Sequence, residues 1–342
     1  MAYTTIDDPE ANFQVQLYTG NGSANHAITL GGDTNMQPDF VWIKNRDAAD
    51  SHCLFDAVRG ATKVLHADAT TAEVTDTDTL DSFTSDGFQV DADVKVNTNA
   101  EKYVAWCWKG ANGTATNTSG DKDSTVSVNT TAGISIVKWE NDTDEAISIG
   151  HGLGAIPDAV IVKELGDAVN WHGRFKGFAA NDYIHLNTNE AKGASTAVFA
   201  TLPTSALFYT GTAAYHINAN LIAYCFTSIQ GFSKIGSYTG NNSADGVMIH
   251  LGFKPAFLMI RALDTSNWYM WDNKRAPFNE MNASLSANQN IVEETSREID
   301  FLSNGFKCRE ARGSHNDTGE FIYIAFAEAP FVNSNGVPCT AR

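Results

Sequence analysis

Aromatic side chains with polar edges are concentrated in the segment Trp268-Tyr-Met-Trp271, and Asp272 follows them directly. Indole and phenol faces stack on sugar rings, while their polar edges form hydrogen bonds. A matching pair, Trp171 and His172, occurs earlier in the chain. These residue types predict a glycan-binding platform, and its candidate residues are Trp171, His172, Trp268, Tyr269, Trp271 and Asp272.

The same aromatic segment has a second interpretation, because side chains alternate across a strand and every second one fills the core. The matching place in the first part of the chain has His52 and Phe55, so hydrophobic character is retained there better than aromatic chemistry. This comparison favours core packing, and it leaves ligand binding as the alternative.

Carboxylates cluster in the two runs Asp76-Thr-Asp-Thr-Leu-Asp81 and Glu140-Asn-Asp-Thr-Asp-Glu145. Oxygen ligands of this kind bind Ca²⁺ in proteins. Neither run has the spacing, fixed glycine and terminal glutamate of an EF-hand loop, so solvated acidic loops are favoured. If a metal ion is bound, we expect Ca²⁺ at Asp76, Asp78 and Asp81, and we predict no other cofactor.

Charged residues also recur at matching places. Lys44, Lys163 and Arg261 share one place, and Asp56 and Asp272 share another about a dozen residues later. This spacing predicts that a cation and a carboxylate face each other across adjacent strands. A structural ion pair explains the recurrence better than a ligand site does.

Motifs for enzyme chemistry are not found in the sequence. It has no nucleophile elbow, no His-Glu-x-x-His helix and no glycine loop for phosphate. His151, His172 and His185 lie in one part of the chain but on different predicted strands. The sequence therefore predicts a protein that is not an enzyme, with a polysaccharide depolymerase built from dispersed carboxylates as an alternative.

These candidate residues lie in a unit that occurs three times. Three apolar runs begin at proline and end at a cation, at 38–44, 157–163 and 255–261. A second apolar block begins 65, 64 and 66 residues after these prolines, at Tyr103, Leu221 and Phe321. Units of this size are longer than solenoid repeats, so each is expected to hold a core of its own.

The repeat spacing predicts the domain organisation of the 342 residues. The predicted segments are an N-terminal arm at 1–14, repeat one at 15–109, a flexible linker at 110–132, repeat two at 133–228, repeat three at 232–330 and a C-terminal tail at 331–342. The linker prediction depends on a stretch rich in Gly, Asn, Thr and Ser. The arm and the tail are short enough to dock onto a partner.

Within each repeat, short runs rich in Val, Ile, Tyr, Phe and Trp alternate with Gly, Asn and Asp, which predicts antiparallel strands. A fourth strand is predicted at Leu65, Leu186 and Leu285, and tight hairpins at Ser85-Asp-Gly and Ser303-Asn-Gly. The segment 291–300 is the one helical candidate. The predicted fold is all-β, with three tandem antiparallel β-sandwich-like repeats of about 100 residues.

Composition limits the partners. The formal charge of -17 repels phosphate backbones, so nucleic acid is not expected as a partner. No apolar stretch approaches the ~18 residues that would span a bilayer, and the first residues lack the pattern of a signal peptide. Cys107 and Cys225 share one place in two repeats, which predicts small buried residues there.

The combination of motifs resembles a group of virion proteins of tailed phages, especially marine ones, that are often described as tail-fibre or structural proteins. The motifs are Phe40-Val-Trp-Ile-Lys-Asn-Arg46, Phe55-Asp-Ala-Val-Arg-Gly60, Ser85-Asp-Gly-Phe88, Tyr103-Val-Ala-Trp-Cys-Trp-Lys109 and Ala325-Phe-Ala-Glu-Ala-Pro-Phe-Val-Asn-Ser-Asn-Gly336. The resemblance covers residues 18–342. It implies a component of the virion, assembled in the host bacterial cytoplasm, and it implies no catalytic residues.

The sequence and the resemblance together predict a non-enzymatic tail-fibre or receptor-binding component. Its expected partners are other virion proteins, host surface glycans and further copies of itself. One alternative is a capsid-decorating or tail-assembly subunit with no host ligand, which the absence of a heptad shaft favours. A second alternative is a spike that depolymerises glycans.

Overall fold

The computed structural model describes residues 2–212 and 214–339, and within this range the protein is built from antiparallel β strands. Runs of β-branched and aromatic residues form these strands because such side chains pack well on a pleated, half-buried surface. Helical structure in the described range is confined to a 3-10 turn at Pro9–Ala11 and to α1 at Val94–Asn97. The prediction of an all-β protein is confirmed.

Short strands follow one another along the described chain. The first are β1 (Phe13–Thr19), β2 (His26–Thr29), β3 (Phe40–Asn45), β4 (Cys53–Asp56), β5 (Lys63–Val64), β6 (Val74–Thr75), β7 (Leu80–Thr84), β8 (Gly87–Val90) and β9 (Lys102–Trp108). The next are β10 (Ala115–Asn117), β11 (Ser124–Asn129), β12 (Ile134–Asn141), β13 (Ile147–Gly150), β14 (Ala159–Glu164), β15 (His172–Phe175), β16 (Asp182–His185), β17 (Gly193–Ala194), β18 (Leu207–Thr210) and β19 (Ala219–Phe226). The last are β20 (Ser233–Thr239), β21 (Met248–His250), β22 (Phe253–Ala262), β23 (Trp268–Asp272), β24 (Leu285–Ser286), β25 (Ile299–Leu302), β26 (Gly305–Cys308) and β27 (Glu320–Pro330).

One order of strand pairing recurs in the three larger sheets. The first sheet has the order β1-β9-β3-β4, and the last has β20-β27-β22-β23-β24. The middle sheet contains β12-β19-β14-β15 within the longer order β10-β11-β12-β19-β14-β15-β16-β17. The late strand β9, β19 or β27 therefore lies between β1 and β3, between β12 and β14, or between β20 and β22.

The register of these sheets also recurs. Three pairs of residues hold the same place: Val41 with Cys107, Val160 with Cys225, and Leu258 with Ala325. Cys107 and Cys225 are both fully buried. The prediction that small buried residues occupy this place is confirmed.

Smaller sheets accompany the larger ones, with the orders β2-β8-β7, β13-β18 and β21-β26-β25. The strands β7 and β8 pair from Thr84 and Gly87, and β25 and β26 pair from Leu302 and Gly305, so each pair is joined by two residues. Both predicted hairpins are confirmed. In the middle region β18 pairs with β13 alone among the described strands, and this agrees with its lost turn signal.

The hydrophobic core lies on both faces of the larger sheets. In the first region one face packs against the smaller sheet, where Val41 and Cys107 contact residues such as Phe88. The opposite face joins a core shared by all three regions, because side chains alternate across each strand. Phe40, Tyr224 and Phe257 all belong to that shared core. The regions therefore do not have fully separate cores, contrary to the prediction.

The predicted flexible linker at 110–132 is wrong in part. It contains β10 and β11, and β11 pairs along its whole length with β12. Strand formation is favoured because Val126 is buried and packs in the core of the middle region. A polar composition concealed a strand that is half buried.

The predicted N-terminal arm and C-terminal tail contact other parts of the chain in the described residues. Ile6 is buried, and the Tyr3 hydroxyl donates to the carbonyl of Gly252 at 2.8 Å. The Asp7 carboxylate accepts a hydrogen bond from the backbone N–H of Ser334 at 2.6 Å. Both terminal segments therefore pack on the protein, whereas residue 1 of the arm and residues 340–342 of the tail lie outside the described residues.

Two further predictions are corrected by the pairing. Leu65 pairs with Leu54 and Leu285 with Met270, but the residue in the matching place of the middle region is Ile184, which pairs with Gly173. Leu186 lies two residues further on. The helical candidate at 291–300 is not helical and ends in β25, because Glu294 and Ile299 form β-bridges with Ser284 and Met281.

Candidate functional site

The aromatic residues predicted as a glycan platform lie in the interior. Trp171, Trp268 and Trp271 are 0%, 1% and 0% exposed. Their indole N–H groups donate to backbone carbonyls, to His66 at 2.9 Å and His185 at 2.8 Å for the first two. Side chains in this state do not form a surface for stacking, so the structure favours the core-packing interpretation.

The other three candidate residues are buried as well. Tyr269 is 7% exposed and lies against the guanidinium of Arg297, 4.0 Å from its ring centre. Asp272 is fully buried and binds the side chain of Arg275, with Oδ2 2.5 Å from Nε. His172 is 8% exposed. None of the six is therefore proposed as a ligand-binding residue.

The predicted pairing of the recurring cation with the recurring carboxylate is wrong. The Lys44 ammonium donates to the carbonyls of Asn45 and Ala48, at 2.6 and 3.0 Å. Lys163 does the same with the carbonyls of Glu164 and Asp167, at 2.7 and 3.1 Å. Each lysine holds the loop after its own strand, and burial lowers the pKa of each to about 8.

The recurring aspartate instead binds an arginine three residues later. Asp56 Oδ2 lies 2.5 Å from Arg59 Nε, and both side chains are fully buried. The Tyr224 hydroxyl donates to the same carboxylate oxygen at 2.8 Å. Burial opposes the charge of Arg59, but the nearby Asp56 and Tyr224 raise its pKa, so the guanidinium stays charged. This Asp-x-x-Arg pair links two regions of the chain.

The predicted Ca²⁺ ligands do not converge. Asp76 Oδ1 accepts the backbone N–H of Asp78, and Asp78 Oδ1 accepts that of Ala92. Asp81 lies in β7, outside this turn. Among the described residues no group of ligand atoms that could hold a metal ion includes these three. The carboxylates cap a turn, which is the solvated-loop alternative.

A group that could hold a metal ion occurs elsewhere, at Glu164, Asp167 and His216. Ligand atoms of the three residues all lie within 4.8 Å of one another. His216 Nδ1 is 2.8 Å from Glu164 Oε1 and 3.5 Å from Asp167 Oδ2. Glu164 is the last residue of β14, and the other two lie in loops beside it.

Asp167 and His216 border an open cleft of about 350 Å³, and Glu164 contacts His216 from the interior. Glu164 forms the buried base, with 0% of its side chain exposed, whereas His216 and Asp167 are 63% and 60% exposed. The cleft is also lined by Lys138 of β12 and by Glu73, which directly precedes β6. A buried carboxylate, an exposed carboxylate and an imidazole can bind a cation or hold a proton.

Sequence reasoning missed this group. Glu164 and His216 are 52 positions apart, and the hydrogen-bonded ladder of β14 with β19 brings their loops together. The available signal was local: Glu164 and Asp167 follow the recurring cation, where the first region has Asn45 and the last has Ala262. A departure from the repeated pattern marked the place.

Comparison with known proteins now adds the family. A family model described as a domain of unknown function (DUF7483) matches residues 8–330, which is most of the chain. The protein belongs to this family. No curated protein and no solved structure matches the chain. The residues that line the cleft all lie within the matched segment, 8–330.

In this family member the two strand histidines are also brought together. His172 and His185 are cross-strand partners with ring centres 5.1 Å apart, although sequence reasoning treated their strands as separate. The Tyr215 ring lies 5.5 Å from His172, and both His172 Nδ1 and the Tyr215 hydroxyl lack a hydrogen-bond partner. Within the described residues, no helix is long and apolar enough to cross a membrane.

Buried histidine predicts acid sensitivity of folding. Burial, His185 and Lys163 lower the pKa of His172 to about 3, whereas an unfolded histidine has a pKa near ~6.5. As the pH falls below about 6.5, this histidine becomes protonated in the unfolded chain but stays neutral in the folded protein. The free energy of unfolding therefore decreases between about pH 6.5 and pH 3. Between about pH 7 and pH 4.5 we expect this residue to lower the free energy of unfolding by about 2.5 kcal/mol.

Urea unfolding of the His172→Leu variant at these two pH values measures that contribution. On acidification the variant should lose about 2.5 kcal/mol less of its free energy of unfolding than the unmodified chain. The exposed His250 offers a matched control, because His250→Gln removes an imidazole without removing a buried one. An equal acid loss in the unmodified chain and the His172→Leu variant would contradict the assignment.

Proposed function

We propose that the chain consists of three tandem β-sandwich-like repeats closed around one shared core. The recurring sheet order supports this organisation. The recurring loop clamp supports it too, since Lys44 and Lys163 each bind carbonyls one and four residues later. Arg261 donates to the carbonyl of Asp264, three residues later, and to that of Glu190 in repeat two.

A closed cycle of hydrogen bonds between repeats is the observation that carries this proposal. The Trp171 indole in repeat two donates to His66 O in repeat one. The Trp268 indole in repeat three donates to His185 O in repeat two. His52 in repeat one completes the cycle, with Nε2 2.9 Å from Ser286 O in repeat three.

The proton positions in this cycle follow from a neighbour. The Trp42 indole donates to His52 Nδ1 at 2.8 Å, so Nδ1 accepts and Nε2 carries the proton that Ser286 O accepts. Burial lowers the pKa of His52 well below its ordinary value, which keeps the ring neutral. Three equivalent positions therefore donate to three equivalent carbonyls in one rotational direction.

A second set of contacts runs in the same direction. Asp56 of repeat one accepts from Tyr224 of repeat two, and Asp272 of repeat three accepts from the Trp106 indole of repeat one at 3.2 Å. The register puts the apolar Phe175 in the aspartate's place in repeat two, so this set has two members. One chain thus imitates the interfaces of a cyclic trimer, which are usually formed by identical subunits.

We propose further that the protein is a non-enzymatic structural component of a tailed-phage virion, acting as a tail-fibre or receptor-binding part. The support from the residues is that the repeated aromatic and charged groups are used for packing, so specific recognition is left to the loops that differ between repeats. Other virion proteins, host glycans and further copies of the chain are its proposed partners. Assembly in the host cytoplasm is part of the same proposal.

A capsid-decorating or tail-assembly subunit is the second candidate. It is favoured by the compact packing of the terminal segments, where Tyr3 and Asp7 bind Gly252 and Ser334. A protein of this shape has no free arm in its described residues that would extend it into a fibre. A glycan-cleaving spike remains a third proposal, which an activity assay can separate from the first two.

Location on the particle tests the functional proposal. We expect gold-labelled antibodies against the purified chain to bind at the tail tip or fibres of the intact virion. A capsid-wide distribution would contradict the receptor-binding role and support the capsid-decorating role. Particles that contain none of the protein would overturn both roles.

Glycan binding is tested on the purified chain. Cys339 is exposed whereas the other four cysteines are buried, so a single fluorophore can be attached there. A receptor-binding part should bind host surface glycans on an array, and an assembly subunit should bind none. Release of reducing ends from host polysaccharide would establish the spike instead.

A further inference from the structure

We propose that Glu164, Asp167 and His216 form a binding site for a divalent transition-metal ion in repeat two. Carboxylate oxygens and an imidazole nitrogen are the protein donors for Zn²⁺, Mn²⁺ and related ions, and the nitrogen disfavours Mg²⁺ and Ca²⁺. The three donors converge within 4.8 Å. Small movements of the two exposed side chains would bring all three atoms to about 2.0–2.2 Å from one ion.

The base of this site is held in place before any ion arrives. Glu164 closes β14, and its register is fixed by pairing with Leu221 of β19. The ammonium of Lys163 donates hydrogen bonds to the backbone carbonyls of Glu164 and Asp167. These bonds fix the backbone of the loop that presents both carboxylates. Ligands oriented by a supporting shell of this kind bind metal ions more tightly than free side chains do.

The charge balance of Glu164 points to a cation. Its carboxylate is fully buried, and among the described residues its ion-pair partner is His216 alone. Buried carboxylates are normally paired with Lys or Arg or coordinate a metal ion. The buried Asp56 and Asp272 each pair with an arginine, whereas Glu164 pairs with neither an arginine nor a lysine among the described residues.

The site has an open side. The exposed fractions of Asp167 and His216 leave the fourth position facing a cleft of about 350 Å³. Water or a donor group from a partner can occupy that position, which distinguishes this arrangement from a closed structural metal site. Repeat one has Asn45 and repeat three has Ala262 in place of Glu164, so the proposed site occurs in one repeat.

The competing explanation is that His216 only fastens its loop. The Glu164 carboxylate accepts the backbone N–H of His216 at 3.0 Å as well as its ring nitrogen. That arrangement would survive as a structural contact without any metal ion. The two explanations differ in whether the intact chain binds a metal ion at this place.

Binding of Co²⁺ to the full-length chain tests the proposal, because its visible absorption reports the ligand field directly. We expect one equivalent of Co²⁺ to bind with an absorption band typical of mixed nitrogen and oxygen ligands, and Zn²⁺ to displace it. The His216→Ala and Asp167→Asn variants alter exposed side chains, so both should fold. Each should weaken binding by at least about tenfold, in the range seen when metal-site groups are removed.

The matched control is His250→Ala, since His250 is exposed and lies in repeat three. Its affinity for Co²⁺ should equal that of the unmodified chain. The proposal is overturned if the unmodified chain binds no Co²⁺. It is equally overturned if His216→Ala and Asp167→Asn bind as well as the unmodified chain, or if His250→Ala loses the affinity.

Discussion

The Asp56→Ala variant is expected to lose about 3–5 kcal/mol of its free energy of unfolding. The substitution leaves the fully buried Arg59 guanidinium without its nearer carboxylate partner, which lies 2.5 Å away in the intact protein, and Glu73 at 3.2 Å is the partner that remains. It also removes the acceptor of the Tyr224 hydroxyl and of two backbone N–H groups. The main cost is a buried charge that is compensated only in part, because Glu73 alone then offsets the desolvation of the guanidinium.

Urea unfolding at neutral pH measures this loss. Asp144→Ala is the control, because Asp144 is an exposed carboxylate and its removal should change stability by less than about 0.5 kcal/mol. The double variant Asp56→Leu with Arg59→Met should be more stable than Asp56→Ala, since neither charge is left unpaired. A double variant that is less stable than the single one would contradict the charge-based explanation.

The Trp106→Ala variant is expected to lose a similar amount, about 3–5 kcal/mol, for a different reason. Trp106 of β9 is fully buried, and its ring contacts Phe257 of β22 at a centre-to-centre distance of 5.7 Å. The Arg275 guanidinium lies over the same ring at 5.6 Å. Removing the indole leaves a cavity that the rigid surrounding strands can fill only in part.

Trp106→Phe separates packing from hydrogen bonding. It retains most of the ring but loses the N–H that donates to Asp272, so it should cost about 1–2 kcal/mol. Both variants are measured by urea unfolding beside the unmodified chain. A loss below about 1 kcal/mol for Trp106→Ala would indicate that the proposed contact between repeats does not support the fold.

Local features of this fold were predictable from the sequence. The hairpins at Ser85-Asp86 and Ser303-Asn304 follow from short-range turn chemistry, and the structure has both. The strand runs were predictable because β-branched and aromatic residues recur at fixed spacing. The position of β9 between β1 and β3 was not predictable. Alternation of residue types shows which face of the sheet a side chain lies on, but it does not show which strands pair.

The candidate site was beyond sequence reasoning for a related reason. Trp268 and Trp271 were candidate ligands because the residue type does not distinguish an exposed aromatic side chain from a buried one, and the structure buries both faces of β23. Glu164 and His216 come together through pairing over a long sequence separation. The useful signal was that Glu164 stands where the matching segments have Asn45 and Ala262, because it marked a loop whose residues are not shared by the three segments.

The proposed closure of three repeats around one core is tested most directly by differential scanning calorimetry of the full chain. Contacts that link every repeat to the next should make the chain unfold in one cooperative transition. We predict a single peak with a calorimetric enthalpy of about 240 kcal/mol near ~60 °C, equal to the van't Hoff enthalpy. A van't Hoff enthalpy of about one third of the calorimetric value would mean that the repeats melt separately, and it would contradict the closed arrangement.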